Sequence, residues 1–546
     1  MKQIAKTLIL LSLLLLTSVA QALPTLLHNI KGYSINDGKL VQFDALLFED
    51  NTVIAIGNKD KLATRAGFSI SIDGQGKTLL PGLIDAHGHL LGLGNELEQI
   101  NLRGVSSLEQ AISMVAQYAD ANPKKQWLTG GGWNQVLWQD KQFPNKSDLD
   151  KINSDRPIWL SRIDGHAGWA NSQALELAGI TENTPDPQGG KIYRDKNGKP
   201  TGILIDTAMA LIEQKIPQPS ALEIESALDR AFEHLVKLGI TSVHDAGISF
   251  ATYKVLLKMA DKNQIPIRVY AMLAGSDPNI DAMLKLGKVD HPFLKIQSVK
   301  LYSDGALGSR GAALIEPYSD DGDNSGLLFH SDKDLMSLVN KVAQYDFQIN
   351  IHAIGDLGNR QVLNSFATLN EQDSIENARH RIEHAQLVAL EDISRFAELN
   401  IIASMQPTHA TSDMNMAEDR VGSERIKGAY AWRKMLDNNV LIAAGSDFPV
   451  ELANPFHGLF SAVTRQDHNH LPKNGWYPEE KLSLEEALKA FTIDAAYAGF
   501  WEKQIGSLEP GKKADFILID RDIFADQKEL WQTKTLQTWL AGKQVF

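Results

Sequence analysis

The run Leu83-Ile84-Asp85-Ala86-His87-Gly88-His89 ends an apolar stretch in two histidines spaced two apart. Residues two apart on a strand share a face, so His87 and His89 can point at one ion. Such a pair alone is a weak signal, because two surface histidines have the same spacing. Four further apolar stretches carry, at or near their ends, a residue that can bind a metal. In 347–353, Gln348, Asn350 and His352 alternate with Phe347, Ile349 and Ile351, giving one polar face that ends in His352. Stretch 378–385 closes near Glu383-His384, and 440–447 closes in Ala444-Gly445-Ser446-Asp447, with small Ala443 and Gly445 on the aspartate's face. Stretch 294–303 sets Lys300 between Ser298 and Tyr302, and a buried lysine is costly unless paired or modified. These residue types suit a divalent-cation centre with nitrogen and oxygen ligands. The chain has no cysteine, which excludes thiolate ligands, disulfides and a cysteine nucleophile.

The elements that must position these side chains read as strands alternating with helices. Candidate strands run 79–87, 239–245, 265–273, 294–303, 347–353, 378–385, 400–406 and 440–447, with amphipathic stretches such as 331–345 and 391–399 after most of them. Eight strands with crossover helices predict an α/β fold, a (β/α)8 TIM barrel over 79–504. A lone histidine is more often simply hydrogen-bonded in place. Here the whole set falls on the C-terminal ends of one barrel's strands, where barrel enzymes keep their sites.

Short strands over 23–78, broken by turns such as Asn36-Asp37-Gly38, form a small β unit that 505–546 is expected to complete as a composite β-sandwich. After the first barrel strand comes a large insertion, about 104–225, far longer than a usual βα connection. It holds five of the ten tryptophans (Trp127, Trp133, Trp138, Trp159 and Trp169) and a hairpin turning at Asn197-Gly198. Tryptophans usually pack in cores. Their crowding on a βα loop points instead to a lid or substrate pocket.

With these motifs in hand, the chain resembles the amidohydrolase superfamily, and within it amidohydrolase family 3, the YtcJ-like metal-dependent hydrolases. The resemblance rests on Pro81 to His89, Arg162-Ile163-Asp164-Gly165-His166, Gly239 to Gly247, Lys300-Leu301-Tyr302-Ser303-Asp304-Gly305, His352-Ala353-Ile354-Gly355-Asp356, Arg381-Ile382-Glu383-His384, Gly445-Ser446-Asp447-Phe448-Pro449 and the tail Gly506 to Asp515. It implies that His87, His89 and Asp447 hold one metal, that His352 and His384 hold a second, and that carboxylated Lys300 bridges them. It further implies a metal-acidified water as nucleophile, with Asp447 taking its proton and passing it to the leaving amine, and His384 aiding carbonyl polarisation. Without carboxylation, His87, His89, His352 and Asp447 would hold a single ion, as in many deaminases of the superfamily. Zinc is the default cofactor, at one or two ions per chain. Trp133, His166, Asp304, Arg310, Gln406 and His409 lie in motif-like loops and are candidate substrate contacts, while Asp85 stands behind the histidine pair. The expected reaction is hydrolysis of a non-peptide C–N bond, in an N-formyl or N-acyl amine or a cyclic amide. A deaminase, or an esterase or lactonase using the same water, is the alternative. A non-catalytic binding protein would show broken ligands, and none is broken.

Composition sets the outer bounds. A chain of 546 residues, 43% hydrophobic and 22% charged, is ordinary for a folded protein. Its net charge of −13 lacks the basic footprint of nucleic-acid binding, so the expected partner is a small-molecule substrate. Lys2 and Lys6, the apolar run 8–16 and Ala20-Gln21-Ala22 read as a secretory signal cleaved after Ala22. Roughly nine or ten apolar residues are too few to span a bilayer. The expectation is a periplasmic or secreted protein with no membrane attachment after cleavage. The superfamily's β unit often sits near a dimer interface, so a homodimer is expected.

Overall fold

The computed structural model describes residues 23–66, 69–152, 155–162, 167–187, 190–372 and 377–546. The expected signal segment and His166 lie outside them. The chain forms two compact units, one from the segments up to His89 and from Phe232 onward, the other Leu90–Ala231.

The first unit holds eight barrel strands: β1 (Leu83–Gly88), β2 (Ile240–Ile248), β3 (Arg268–Ala274), β4 (Leu294–Tyr302), β5 (Gln348–Ala353), β6 (Arg381–His384), β7 (Ile402–Met405) and β8 (Ile442–Ala444). Neighbours pair in parallel from β1 through β8 in chain order. Nearly every strand residue is buried, as expected when parallel strands are covered on both faces. Register sets the heights of the chemistry: Tyr302 stands opposite His352, and Ala353 opposite His384.

The crossover helices follow from local signals. In Asp332–Ala343, Leu335, Val339 and Val342 recur at helical spacing and are buried. Ser331 caps it by accepting from Asp334 N–H, and Asp332 and Asp334 sit where the helix dipole favours negative charge.

Closure between β1 and β8 is not a ladder. Asp447 N–H donates to His87 O at 2.7 Å and His89 N–H to Phe448 O at 2.8 Å. The Asp85 carboxylate accepts from Ser446 N–H at 3.0 Å and from its hydroxyl at 2.6 Å. Gly445 permits this approach, since a Cβ there would lie 2.5 Å from His87 N.

The N- and C-terminal strands join in one continuous sheet of seven, in the order Lys543–Gln544, Thr535–Leu540, Phe516–Ile519, Ile70–Pro81, Thr25–Asn36, Lys39–Glu49, Thr52–Gly57. Ile70–Pro81 carries the join, pairing parallel with Thr25–Asn36 and antiparallel with Phe516–Ile519. One apolar cluster of this sheet includes Phe43, Phe48, Leu79 and Phe516, and a second includes Leu26, Ala45, Leu47 and Leu62. Among the described residues no helix is long and apolar enough to cross a membrane.

The second unit carries a six-stranded sheet and its own core. The hairpin Gly190–Arg194/Pro200–Asp206 turns with Gly198 at φ +80°. Trp133, Trp138 and Trp169 pack at ring separations of 6.2–6.4 Å, while Trp159 belongs to a neighbouring cluster against which Trp127 packs. Trp133 is fully buried and its indole N–H donates to Leu160 O at 2.8 Å. This corrects the pocket expectation, because Trp133 has no surface to offer a substrate. Truncation to alanine should therefore cost about 3–5 kcal/mol of stability, read from a thermal or urea melt.

In the barrel unit, Arg268 grips Asp515 through two bonds of 3.0 and 3.3 Å, both side chains being buried, and Asp515 also accepts from Ala541 N–H. Asp515→Ala would strand a buried guanidinium. Its expected cost is roughly 3–5 kcal/mol, seen as a lower urea midpoint.

Candidate metal centre

The six expected ligands come from the ends of five barrel strands. His87 is fully buried, and its Nδ1–H donates to Glu383 Oε2. That leaves Nε2 facing Asp447 Oδ1 at 3.6 Å and Lys300 Nζ at 3.3 Å. His89 Nε2 lies 3.1 Å from the same Oδ1. The His384 ring stands 4.8 Å from that of His87 and 4.6 Å from that of His352. Its Nδ1–H donates to Gln406 Oε1 at 2.8 Å, which frees Nε2.

Backbone irregularity delivers two of these groups. Alternation on β6 turns Arg381 and Glu383 into the barrel, and His384 follows them out of phase. Its φ of +76°, with +43° at Ala385, turns the ring inward; Asp447 sits at φ +62°. Left-handed backbone at residues other than glycine costs on the order of 1–3 kcal/mol and clusters at functional sites.

The ligand atoms of His87, His384 and Asp447 all lie within 4.8 Å of one another, and all three residues are buried. Asp447 Oδ1 and His409 Nε2 are buried with no hydrogen-bond partner of good geometry. Buried polar atoms in native proteins are normally satisfied, and a cation would satisfy this carboxylate. The donor set therefore fits a divalent metal.

Electrostatics favour the ligating forms. Burial, then the neighbouring Lys300, lowers His87 to about 4 and His352 to about 3, and burial holds His384 well below the ordinary histidine range. All three are thus neutral imidazoles at neutral pH. Burial pushes the Asp447 carboxyl up, but His89, His87 and His384 more than offset it, and the group stays ionised. Burial lowers Lys300 to about 8, which brings its neutral amine, the form that adds CO2, within reach.

The candidate substrate contacts divide. Gln406 orients His384, and His409 stands 3.8 Å from Asp447 Oδ2 with its ring stacked 6.0 Å from that of His384. Asp304 is wholly buried and accepts backbone N–H groups from Ala313, Ile354 and Gly355 at 2.8–3.0 Å. It anchors loops and lies 3.7 Å from His352 Nε2, which corrects its assignment as a substrate contact. Arg310 is engaged by Asp320 through bonds of 3.1 and 2.9 Å. Glu383 was not among the expected site residues, although Arg381-x-Glu383 has the same two-residue spacing as His87-x-His89. Against the cost of burial, Arg381 and His87 hold the Glu383 carboxyl well below its usual range.

A closed parallel barrel with buried imidazoles and a carboxylate gathered at its C-terminal strand ends defines a metal-dependent hydrolase. The amidohydrolase family model matches residues 71–546, and the chain belongs to that family. It is 34% identical to the putative amidohydrolase YtcJ of Bacillus subtilis over 92% of this chain and 96% of that one. It is 26% identical to an N-substituted formamide deformylase of Arthrobacter pascens, over 91% and 94% of the two chains. An uncharacterized metal-dependent hydrolase of Pyrococcus horikoshii superposes with a TM-score of 0.78 at 28% identity, covering 91% of this chain and 98% of that one.

Loss of a ligand should exceed the roughly 10–100-fold affinity cost of losing an outer partner. His384→Ala and Asp447→Asn should thus abolish tight zinc binding in a chelator competition, whereas His409→Ala should keep it.

Proposed function

We propose that the protein hydrolyses a non-peptide C–N bond of a small molecule, in an N-formyl or N-acyl amine or a cyclic amide, after export from the cytoplasm. The observation that carries the reading is the convergence of His87, His384 and Asp447 at the barrel mouth, their ligand atoms within 4.8 Å. The activity named for the Arthrobacter relative supports a small acyl group. The basic start, the apolar run and Ala20-Gln21-Ala22 support export.

His87, His89, His352, His384 and Asp447 would hold the divalent cation or cations, zinc first among them, with Lys300 joining if carboxylated. When bound, the metal acidifies a water and polarises the scissile carbonyl. Asp447, ionised and beside His89, takes the proton of the attacking water and returns it to the leaving nitrogen. Amide plus water thus becomes carboxylate plus amine. Gln406 keeps the proton of His384 on Nδ1, so that Nε2 faces the reacting centre. Lys300 carboxylation would replace a buried cation by an anionic oxygen ligand.

The alternative reading is a single ion on His87, His89, His352 and Asp447, with Lys300 left as an amine and His384 free to position the water; the approach of His89 Nε2 and His87 Nε2 to one oxygen of Asp447, at 3.1 and 3.6 Å, supports it. Deamination would then be the reaction.

The chain from Leu23, expressed with bicarbonate and loaded with zinc, should hydrolyse N-formyl or N-acyl amines, read as amine and carboxylate released together. Asp447→Asn should lower turnover by about 10²–10⁴-fold. Elemental analysis should count about two ions per chain for the Lys300-bridged centre and about one for the alternative. Release of ammonia without carboxylate would replace this proposal by the deaminase reading. Protein recovered from the periplasm should begin at Leu23.

A further inference from the structure

Behind the metal-facing imidazoles lies a charged cluster with no exposed atoms to offer a substrate. Arg381 and Glu383 are both wholly buried on β6. Arg381 Nε lies 2.7 Å from Glu383 Oε1, and its Nη2 donates to Oε2 at 3.0 Å. The same Nη2 reaches Ala86 O on β1 at 2.7 Å and Ser404 Oγ on β7 at 2.8 Å. Nη1 donates to His244 Nδ1 on β2 at 2.8 Å. A guanidinium only donates, so His244 must accept at Nδ1 and keep its proton on Nε2. Four strands therefore hold one guanidinium, which hydrogen-bonds Glu383 through Oε2 and pairs with Oε1 by charge alone. Of those two oxygens, Oε2 also accepts from His87 Nδ1–H.

We propose that Arg381 and Glu383 act as a positioning pair, fixing His87 with Nε2 toward the cation and so setting the metal affinity of the centre. The proposal rests on the metal-hydrolase reading above. A carboxylate on the far nitrogen fixes the tautomer and ring orientation of a metal-binding histidine and raises its basicity. A lone carboxylate at this depth would be costly. Arg381 neutralises it, sharing Oε2 with His87, and the guanidinium is itself fixed by Ala86, Ser404 and His244. The pair adds orientation to the centre while adding no net charge.

The test is zinc affinity of the chelator-stripped protein, measured by competition with a chromophoric chelator, together with the visible spectrum of the cobalt(II)-loaded form. Glu383→Gln should weaken zinc about 10–100-fold and change the cobalt spectrum, and Arg381→Lys should fall between it and wild type. Thermal melts of the metal-free proteins separate folding from affinity. A purely structural role would lower the melting temperature and leave the affinity and cobalt spectrum of the folded fraction unchanged, and that result overturns the proposal. If Glu383→Gln does not fold, Glu383→Asp, which draws the carboxylate back by one methylene, must show the same loss. Wild-type protein that binds no zinc would remove the hydrolase reading and this inference together. Wild-type binding with unaffected variants removes only the inference.

Discussion

The metal centre depends on how the barrel closes. Its last strand, β8, is three residues long, and it meets β1 through the Asp85 carboxylate and two backbone bonds rather than a ladder. Asp85 is pushed up to about 7 by burial, while the Ser446 hydroxyl and the N–H groups of His87 and Ser446 pull it back. Three of the six candidate ligands lie at this seam: His87 and His89 on the β1 side and Asp447 just beyond β8. A larger residue at Gly445 would push the strands apart and separate the ligands together with them. Fold closure and ligand geometry are one constraint.

A second constraint is charge balance in an interior of low dielectric. Arg381 is matched by Glu383 at 2.7 Å, whereas Asp447 faces the imidazole nitrogens of His89 and His87 at 3.1 and 3.6 Å, and a bound cation would balance its charge. Lys300 also lacks a charged partner at contact distance. Among the described residues no carboxylate stands within salt-bridge distance of its amine, whose hydrogen-bonding neighbour is His87 Nε2 at 3.3 Å. A charged amine would be a poor neighbour for an imidazole holding a cation. The physical case for modifying Lys300 is therefore stronger in the fold than it is in the sequence, where only the expectation of burial spoke for it.

Much of this was legible beforehand. The eight strands follow from apolar runs and their punctuation, and His87, Lys300 and His352 follow from period-two alternation. The limits were where regular geometry ends. His384 faces the centre only because its backbone turns left-handed, so alternation would have sent it outward. Glu383 looked like an ordinary strand residue, since nothing local reveals that its partner His87 lies 296 positions away. Asp304 sits in a motif-like loop, yet three backbone N–H groups claim it, and such contacts are invisible until the loops are placed. The tryptophans were misleading for another reason. An insertion long enough to build its own core uses aromatics as any core does, and Trp133 fills that role.

The division of labour that results follows from physics rather than from family likeness. Regular strand supplies much of the wholly buried frame: Asp85 and the Arg381–Glu383 pair are on ladder-bonded backbone, and His87 falls at a register shift of β1 against β2. Two of the candidate ligands, His384 and Asp447, stand where the strands end and the backbone is left-handed. Strain of this kind persists only where the surroundings over-determine the conformation. Gln406 does so for His384, and the seam bond from Asp447 N–H to His87 O does so for Asp447. The Arg381–Glu383 pair therefore backs the site from regular strand, while left-handed backbone turns two of its candidate ligands, His384 and Asp447, inward.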